Sequence, residues 1–260
     1  MGYIILRGGF VIHSFLLIGQ SNMAGRGFAE EALPVDVSNI KVLRNGRWWP
    51  FFRPVNPDRV TAGVCLAESF AERYAKEHGV EVGLIPCADG GTRIDQWKRG
   101  SLLYDHALYS VKLAERTSTI AGILWHQGEA DCSDALSAEY LPKLLEFVEN
   151  IKEDTGLSDV PFILGGLGDY LLDYPPKGIF KNYPVINEAM RKVADSLPMT
   201  GFVSAEGLTP NPDNLHFSAP SLYEFGLRYY EEFDRLRDKN KVFAEKPQGD
   251  FAIRTEMEKL

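Results

Sequence analysis

Four short clusters in the 260-residue chain hold the residue types that acyl transfer requires. The first is Gly19-Gln20-Ser21-Asn22-Met23-Ala24-Gly25, in which Ser21 is a candidate nucleophile. A serine hydroxyl is a weak nucleophile until a neighbouring base takes its proton. The base is sought far downstream, in Asp213-Asn214-Leu215-His216. In a helical turn, a three-residue separation puts Asp213 and His216 on one side, so the carboxylate can hold Nδ1–H while Nε2 faces the serine. Between them lie Cys87-Ala88-Asp89-Gly90-Gly91-Thr92-Arg93 and Trp125-His126-Gln127-Gly128-Glu129. Paired glycines let the backbone approach a ligand and donate an N–H. Gln127 offers a neutral amide that can stabilise an oxyanion without titrating, and Glu129 can orient a catalytic group. Singly, each cluster has an ordinary structural explanation: a serine cap, a Gly-Gly turn, a capping Asp beside a surface His. Their joint order is what points to a triad. Neither GxSxG nor GxxxxGK[ST] occurs, so an α/β-hydrolase elbow and a phosphate loop are not indicated. His126 with Glu129 and Asp131 makes a poor metal set, because no second His or Cys completes it.

Such residues need a scaffold that brings distant segments together. SFLLIG (14–19), EVGLIP (81–86), IAGILW (120–125), PFIL (161–164) and, more weakly, GFVS (201–204) are short apolar runs without alternation, as in strands buried on both faces. Amphipathic segments separate them. Leu66, Phe70 and Tyr74 lead to a stop at Gly79. Leu141, Leu144, Leu145, Val148 and Ile151 form a second set, and Leu222, Phe225, Tyr229, Phe233 and Leu236 a third, with Ser218 as cap and Pro220 in its first turn. Alternating strands and helices predict a parallel sheet covered on both faces, with the first three clusters at the carboxyl ends of successive strands. Residues 26–61 read as a long loop or small β-excursion carrying Trp48, Trp49, Phe51 and Phe52. One domain over 1–237 is expected, followed by a charged extension at 238–260.

The formal net charge of −8 argues against an extended nucleic-acid surface. Cys65, Cys87 and Cys132 are too few and too irregularly spaced for a disulfide framework, and are read as buried thiols of a reducing compartment. The N-terminal apolar run is broken by Arg7 and His13 without a cleavage site, and Leu6 stands where a myristoylation signal needs Ser or Thr. No stretch reaches membrane-spanning length, so a cytoplasmic protein without a membrane partner is expected.

GQSNMAGRG, GGT, WHQGE and DNLH, taken together over residues 14–233, resemble the SGNH (GDSL-like) hydrolase superfamily, in its sialate O-acetylesterase and acetylxylan esterase branch, carbohydrate esterase family six. The resemblance implies a flavodoxin-like three-layer αβα sandwich with five parallel strands. It implies Ser21 as nucleophile, His216 as general base and Asp213 as its orienting acid. The oxyanion hole would combine the N–H of Ser21, the N–H of Gly91 (Gly90 being the alternative) and the Gln127 side chain. Glu129 would support the triad or share the acid role, and Arg93 and Asn22 would lie against the substrate. No metal or organic cofactor is implied. The substrate expected is an acetylated carbohydrate, first a xylan-derived oligosaccharide stacked on Trp48, Trp49, Phe51, Phe52 or Trp97. The alternative is 9-O-acetyl sialic acid, whose carboxylate would pair with Arg26, Arg53 or Arg93. A glycan-binding protein with an idle site is the reading from a different class. A lipid esterase is disfavoured, because no apolar lid helix stands between the motifs.

Overall fold

The structure is a computed structural model that describes residues 12–238. The N-terminal signals read at Met1–Arg7 and nearly all of the 238–260 extension lie outside the described residues. Among the described residues, no helix is long and apolar enough to cross a membrane.

The chain runs β1 (Ile12–Gly19), α1 (Ser21–Ala24), β2 (Ile40–Arg44), β3 (Arg47–Pro50), α2 (Ala67–His78), β4 (Glu81–Pro86), α3 (Leu102–Ala114), β5 (Thr119–His126), α4 (Asp134–Thr155), β6 (Phe162–Gly165), α5 (Tyr183–Ser196), β7 (Thr200–Val203) and α6 (Ala219–Leu236). All five expected strands form. The sheet nevertheless has seven strands rather than five, in the order β3-β2-β4-β1-β5-β6-β7. The two additions come from the segment read as a loop or β-excursion. Strand β2 joins β4 in parallel, and β3 folds back antiparallel at the edge through Asn45-Gly46. Neither is a continuous apolar run: Lys41 and Arg44 interrupt β2, and β3, the edge strand, is largely exposed.

Helices α2 and α6 pack together on one face of the sheet, and α3, α4 and α5 on the other. Phe15 of β1 meets Phe70 and Tyr74 of α2 and Phe233 of α6, edge to face. On the opposite face Trp125 of β5 meets Trp97 and Phe147. Each such ring buried contributes about 1.5–3 kcal/mol, so truncating Phe233 to Ala should cost about 3–5 kcal/mol. The helix signals hold: Gly79 closes α2 in the left-handed conformation at φ 63°, and the Ser218 hydroxyl accepts the Ser221 N–H at the start of α6. Cys65, Cys87 and Cys132 are free and buried.

Strand β1 is the switch point of the sheet. The chain builds outward from it on one side through β4 and β2, and on the other through β5, β6 and β7. A crevice opens outside the carboxyl ends of strands where a parallel sheet reverses its winding. The loops after β1, β4 and β5 therefore converge there, and they carry the first three polar clusters.

Candidate active site

Gly19 ends β1 at φ 129°, and a Cβ there would lie 2.1 Å from the His126 carbonyl oxygen. Glycine is thus required for β1 to close on the end of β5, and the Gln20 N–H then bonds His126 O at 2.8 Å. Ser21 follows as the first residue of α1, without an intrahelical partner for its N–H. The reading of Ser21 as a capping residue does not hold, since Gln20 occupies the cap position.

The histidine arrives from the other end of the chain. Asn211 N–H bonds His216 O at 2.6 Å, and Pro210 bridges Phe217, which ties the turn before α6 into a loop. That turn is irregular rather than helical: Asn214 sits at φ 52°. Asp213 and His216 meet because the Asp213 carboxylate also caps the turn, Oδ1 accepting the N–H groups of Leu215 (2.9 Å) and His216 (3.0 Å). Its Oδ2 accepts His216 Nδ1–H at 2.6 Å, and His216 Nε2 lies 3.0 Å from Ser21 Oγ. With Nδ1 protonated against the carboxylate, Nε2 is left as the acceptor for the serine proton. Burial pulls the Asp213 pKa upward, but the hydrogen bonds from His216 and Leu215 outweigh it and hold the carboxyl below its ordinary range.

The cleft in front of Ser21 has a volume of about 340 Å³, and Gly90, Gly91, Glu129 and Phe180 are among its walls. Of the two glycines, Gly90 donates its N–H to Asp58 Oδ2 at 2.8 Å, whereas the Gly91 N–H makes no bond to another described residue. Gly90 matters as a close approach: a Cβ there would stand 2.7 Å from the Arg26 guanidinium.

Three expected assignments require correction. Gln127 is fully buried and does not line the cleft. Its amide hydrogens go to Thr92 O (2.9 Å) and Asp131 Oδ2 (2.6 Å), and its Oε1 accepts the Tyr140 hydroxyl, so its side chain is not an oxyanion donor. Asn22 is 1% exposed and lies behind Ser21, outside the lining of the cleft. Its Oδ1 accepts Phe217 N–H, and its Nδ2 donates to Leu215 O and Glu129 Oε1 (2.6 Å). It therefore grips the backbone on both sides of His216. Arg93 is exposed outside the cleft, where its N–H bonds Gln96 Oε1 at the start of a 3-10 turn.

Glu129 does line the cleft, but its hydrogen bond is to Asn22 and not to His216. Beneath it the buried His126 ring packs between Phe217 and Phe225, its pKa lowered by desolvation. None of Trp48, Trp49, Phe51, Phe52 and Trp97 reaches the cleft, and Trp97 is buried in the core. Phe180 is the aromatic wall instead. Arg53 pairs with Glu68 away from the cleft, whereas Arg26 lies in the wall, bound at both nitrogens to Asp58. Asp58 and Arg59 were not singled out from the sequence. Arg59 bridges the cleft rim, ion-paired with Asp89 (2.7 Å) and donating to Gly90 O (3.1 Å). The Asn-Pro-Asp-Arg run 56–59 reads only as a turn, and its reach to the loop after β4 is a long-range contact with no local signal.

The chain is similar to known proteins over most of its length. Residues 11–235 match the family described as carbohydrate esterase, sialic acid-specific acetylesterase. A probable carbohydrate esterase of Arabidopsis thaliana is 29% identical over 242 residues, which cover 82% of this chain and 86% of that protein. An Arabidopsis thaliana protein solved at 1.6 Å superposes with a TM-score of 0.76 at 27% identity, over 87% of this chain and 99% of that one. A carbohydrate acetylesterase from Xanthomonas citri shares the fold, with a TM-score of 0.64 at 18% identity over 86% of this chain and 56% of the other. The chain belongs to the sialic acid-specific acetylesterase family of carbohydrate esterases and is an acetylesterase, a carboxylic ester hydrolase.

Proposed function

We propose that the chain is a serine-dependent carbohydrate O-acetylesterase in which Ser21 attacks, His216 is the base and Asp213 orients it. The observation that carries this is the unbroken chain from Asp213 Oδ2 through His216 to Ser21 Oγ, with links of 2.6 and 3.0 Å. His216 Nε2 takes the hydroxyl proton as Oγ bonds to the acetyl carbon. The carbonyl oxygen, now anionic, sits against the open N–H groups of Ser21 and Gly91. Collapse breaks the bond to the sugar oxygen, which leaves as an alcohol with the proton from His216. Water, deprotonated by His216, then attacks the acetyl-serine, releasing acetate and restoring Ser21.

Arg59 at the rim, half exposed, favours an acidic sugar such as 9-O-acetyl sialic acid, because its guanidinium can exchange Asp89 for a substrate carboxylate. A neutral xylo-oligosaccharide is the second reading. It is supported by the neutralisation of Arg26 by Asp58 and by the apolar face of Phe180.

Acetate release from 9-O-acetyl sialic acid, acetylated xylo-oligosaccharide and 4-nitrophenyl acetate tests both levels. Ser21→Ala should lose release from all three by roughly a thousand-fold or more. Unchanged release in that variant would sink the nucleophile. A folded wild type that binds glycan but releases no acetate would leave the binding-protein reading instead.

A further inference from the structure

The backbone of the loop after β4 is bonded group by group up to its open donor. Asn56 Oδ1 accepts the Ala88 N–H and its Nδ2 donates to Ala88 O, both at 2.9 Å. The Asp89 N–H bonds Gly19 O at 3.0 Å, and Asp89 O accepts the Thr92 hydroxyl at 2.8 Å. Gly90 O accepts Arg59 at the exposed rim, and the Gly90 N–H goes to Asp58 Oδ2 at 2.8 Å. Every backbone polar group from Ala88 N to Gly90 O thus has a partner, and the next one, the Gly91 N–H, has none among the described residues. Of the two holds on Gly90, the one on its N–H is buried. The Arg26 and Asp58 side chains are 6% and 5% exposed, with Nη1 bonded to Oδ1 (3.0 Å) and Nη2 to Oδ2 (2.7 Å). Arg26 also donates to Gly25 O, in the turn that follows Ser21. A Cβ on Gly90 would meet Arg26, Asp58 and, at 3.6 Å, Ser21 Cβ.

We infer that Asp58 is a positioning residue for catalysis, which sets the Gly91 N–H relative to Ser21 by accepting the neighbouring Gly90 N–H. The inference rests on the serine-esterase reading above, in which Gly91 donates to the oxyanion. Gly91 stands at φ 77° and neither glycine has a side chain to anchor it, so the direction of that donor depends on what grips Gly90. An exposed contact such as that of Arg59 exchanges partners readily, whereas a buried carboxylate that loses its N–H is left unsatisfied. Arg26 makes the burial of Asp58 tolerable, and it cancels a negative charge that would otherwise oppose the oxyanion. Its bond to Gly25 O then ties the glycine loop to the turn of Ser21.

Asp58→Ala and Asp58→Asn separate position from charge. Both leave Arg26 without its anion, but asparagine keeps an oxygen that can accept the Gly90 N–H. With 4-nitrophenyl acetate, Asp58→Ala should lower kcat about 10- to 100-fold with KM within about threefold, because a displaced donor is felt only by charge that develops in the transition state. A boronic acid that forms a tetrahedral adduct on Ser21 should bind Asp58→Ala more weakly by a similar factor. Asp58→Asn should recover most of both losses, to within about fivefold of wild type. A second measurement needs no variant. In the free wild type the Gly90 N–H should exchange with solvent slowly and the Gly91 N–H fast, the latter slowing when the boronate adduct forms.

A wild type that turns over normally, with Asp58→Ala kcat within about threefold of it, would overturn the assignment of Asp58 alone. So would equal losses in the two variants, which would leave the ion pair rather than the acceptor as the cause. An Asp58→Ala kcat above that of wild type would do the same, since it is the result of an unpaired Arg26 adding positive charge beside the oxyanion. Should neither variant fold, a Gly90 N–H that exchanges as fast as that of Gly91 in the free wild type would overturn the assignment by itself. A wild type that neither releases acetate nor forms the adduct would overturn the serine-esterase reading, and the role of Asp58 with it.

Discussion

The ground behind Ser21 and the rim in front of it are built on different physical terms. Behind lie Asn22, Gln127, Glu129 and Asp131, each at most 2% exposed and joined by hydrogen bonds of 2.6 Å from Asn22 to Glu129 and from Gln127 to Asp131. In front stand Arg59 and Asp89, with side chains 52% and 33% exposed, held by a pairing that water and salt screen. A buried hydrogen bond fixes position because breaking it leaves an unsatisfied group, whereas an exposed ion pair exchanges partners at little cost. The difference assigns geometry to the rear wall and recognition to the rim. Substitutions behind the serine should therefore act on kcat, and substitutions at the rim on the choice of substrate.

The largest effect tests which carboxylate serves the histidine. Asp213 bonds His216 Nδ1 directly, and Glu129 does not. Asp213→Ala should lower kcat by roughly a thousand-fold, as removal of the orienting acid does in triads. Glu129→Gln should cost far less, because an amide oxygen can still accept the Asn22 N–H. A larger loss from Glu129→Gln than from Asp213→Ala, in steady-state acetate release, would move the acid role to the rear wall and break the comparison.

Next in size is the grip of Asn22 on the loop that carries His216. Its side chain bonds Leu215 O and Phe217 N–H, the two neighbours of His216, from a residue adjoining Ser21. Asn22→Ala removes that registration and leaves two backbone groups unpaired, at about 1–3 kcal/mol. The expected result is a kcat lower by about 10- to 100-fold, with KM little changed and a lowered unfolding midpoint. A change in KM alone, with kcat intact, would return Asn22 to the substrate side of the site.

What could be read in advance follows from the range of the forces involved. The five central strands and the caps at Gly79 and Ser218 depend on local pattern, and all were legible. Ser21, Asp213 and His216 were singled out by residue type, and the structure brings them together, His216 lying 2.6 Å from Asp213 and 3.0 Å from Ser21. The hairpin β2–β3 was legible only as one of two alternatives, a long loop or a small β-excursion, because an edge position relaxes the apolar pattern on one face. The fate of the Gln127 amide was hidden too. Only the partners that reach it from Thr92, Asp131 and Tyr140 show that it is closed to the cleft. Arg59 was missed for the same reason: its value lies in meeting Asp89 and Gly90, some thirty residues away.

At the rim, Arg59→Ala sharpens the comparison through a ratio. If the guanidinium exchanges Asp89 for a substrate carboxylate, kcat/KM for 9-O-acetyl sialic acid should fall about tenfold while the neutral acetylated sugar changes little. The sialate loss should shrink as salt is raised, since the contact is exposed. Equal losses on both sugars at every ionic strength would remove carboxylate recognition from this residue and favour the neutral substrate.

The smallest effect on catalysis comes from the opposite end of β1, where acid should act on stability alone. His13 is buried with Nδ1 2.7 Å from the Tyr74 hydroxyl, and desolvation, helped by the His78 charge, lowers its pKa to about 4. In the unfolded chain a histidine titrates near about 6.5. Between those values the unfolded state binds the extra proton, so folding stability is fully present above about pH 6.5 and is lost as pH falls toward 4, by up to about 3 kcal/mol. His78 stacks on the same Tyr74 ring, and burial lowers its pKa also, so the two histidines push in one direction. Urea unfolding at pH 7 and pH 5 should show the loss in wild type and a shallower one in His13→Gln, with turnover at pH 7 unchanged in both. Were His13→Gln to alter kcat at pH 7, the buried end of β1 would be coupled to Ser21 through the strand. The division between a rear wall that sets geometry and the remainder that only supports it would then have to extend along the whole of β1.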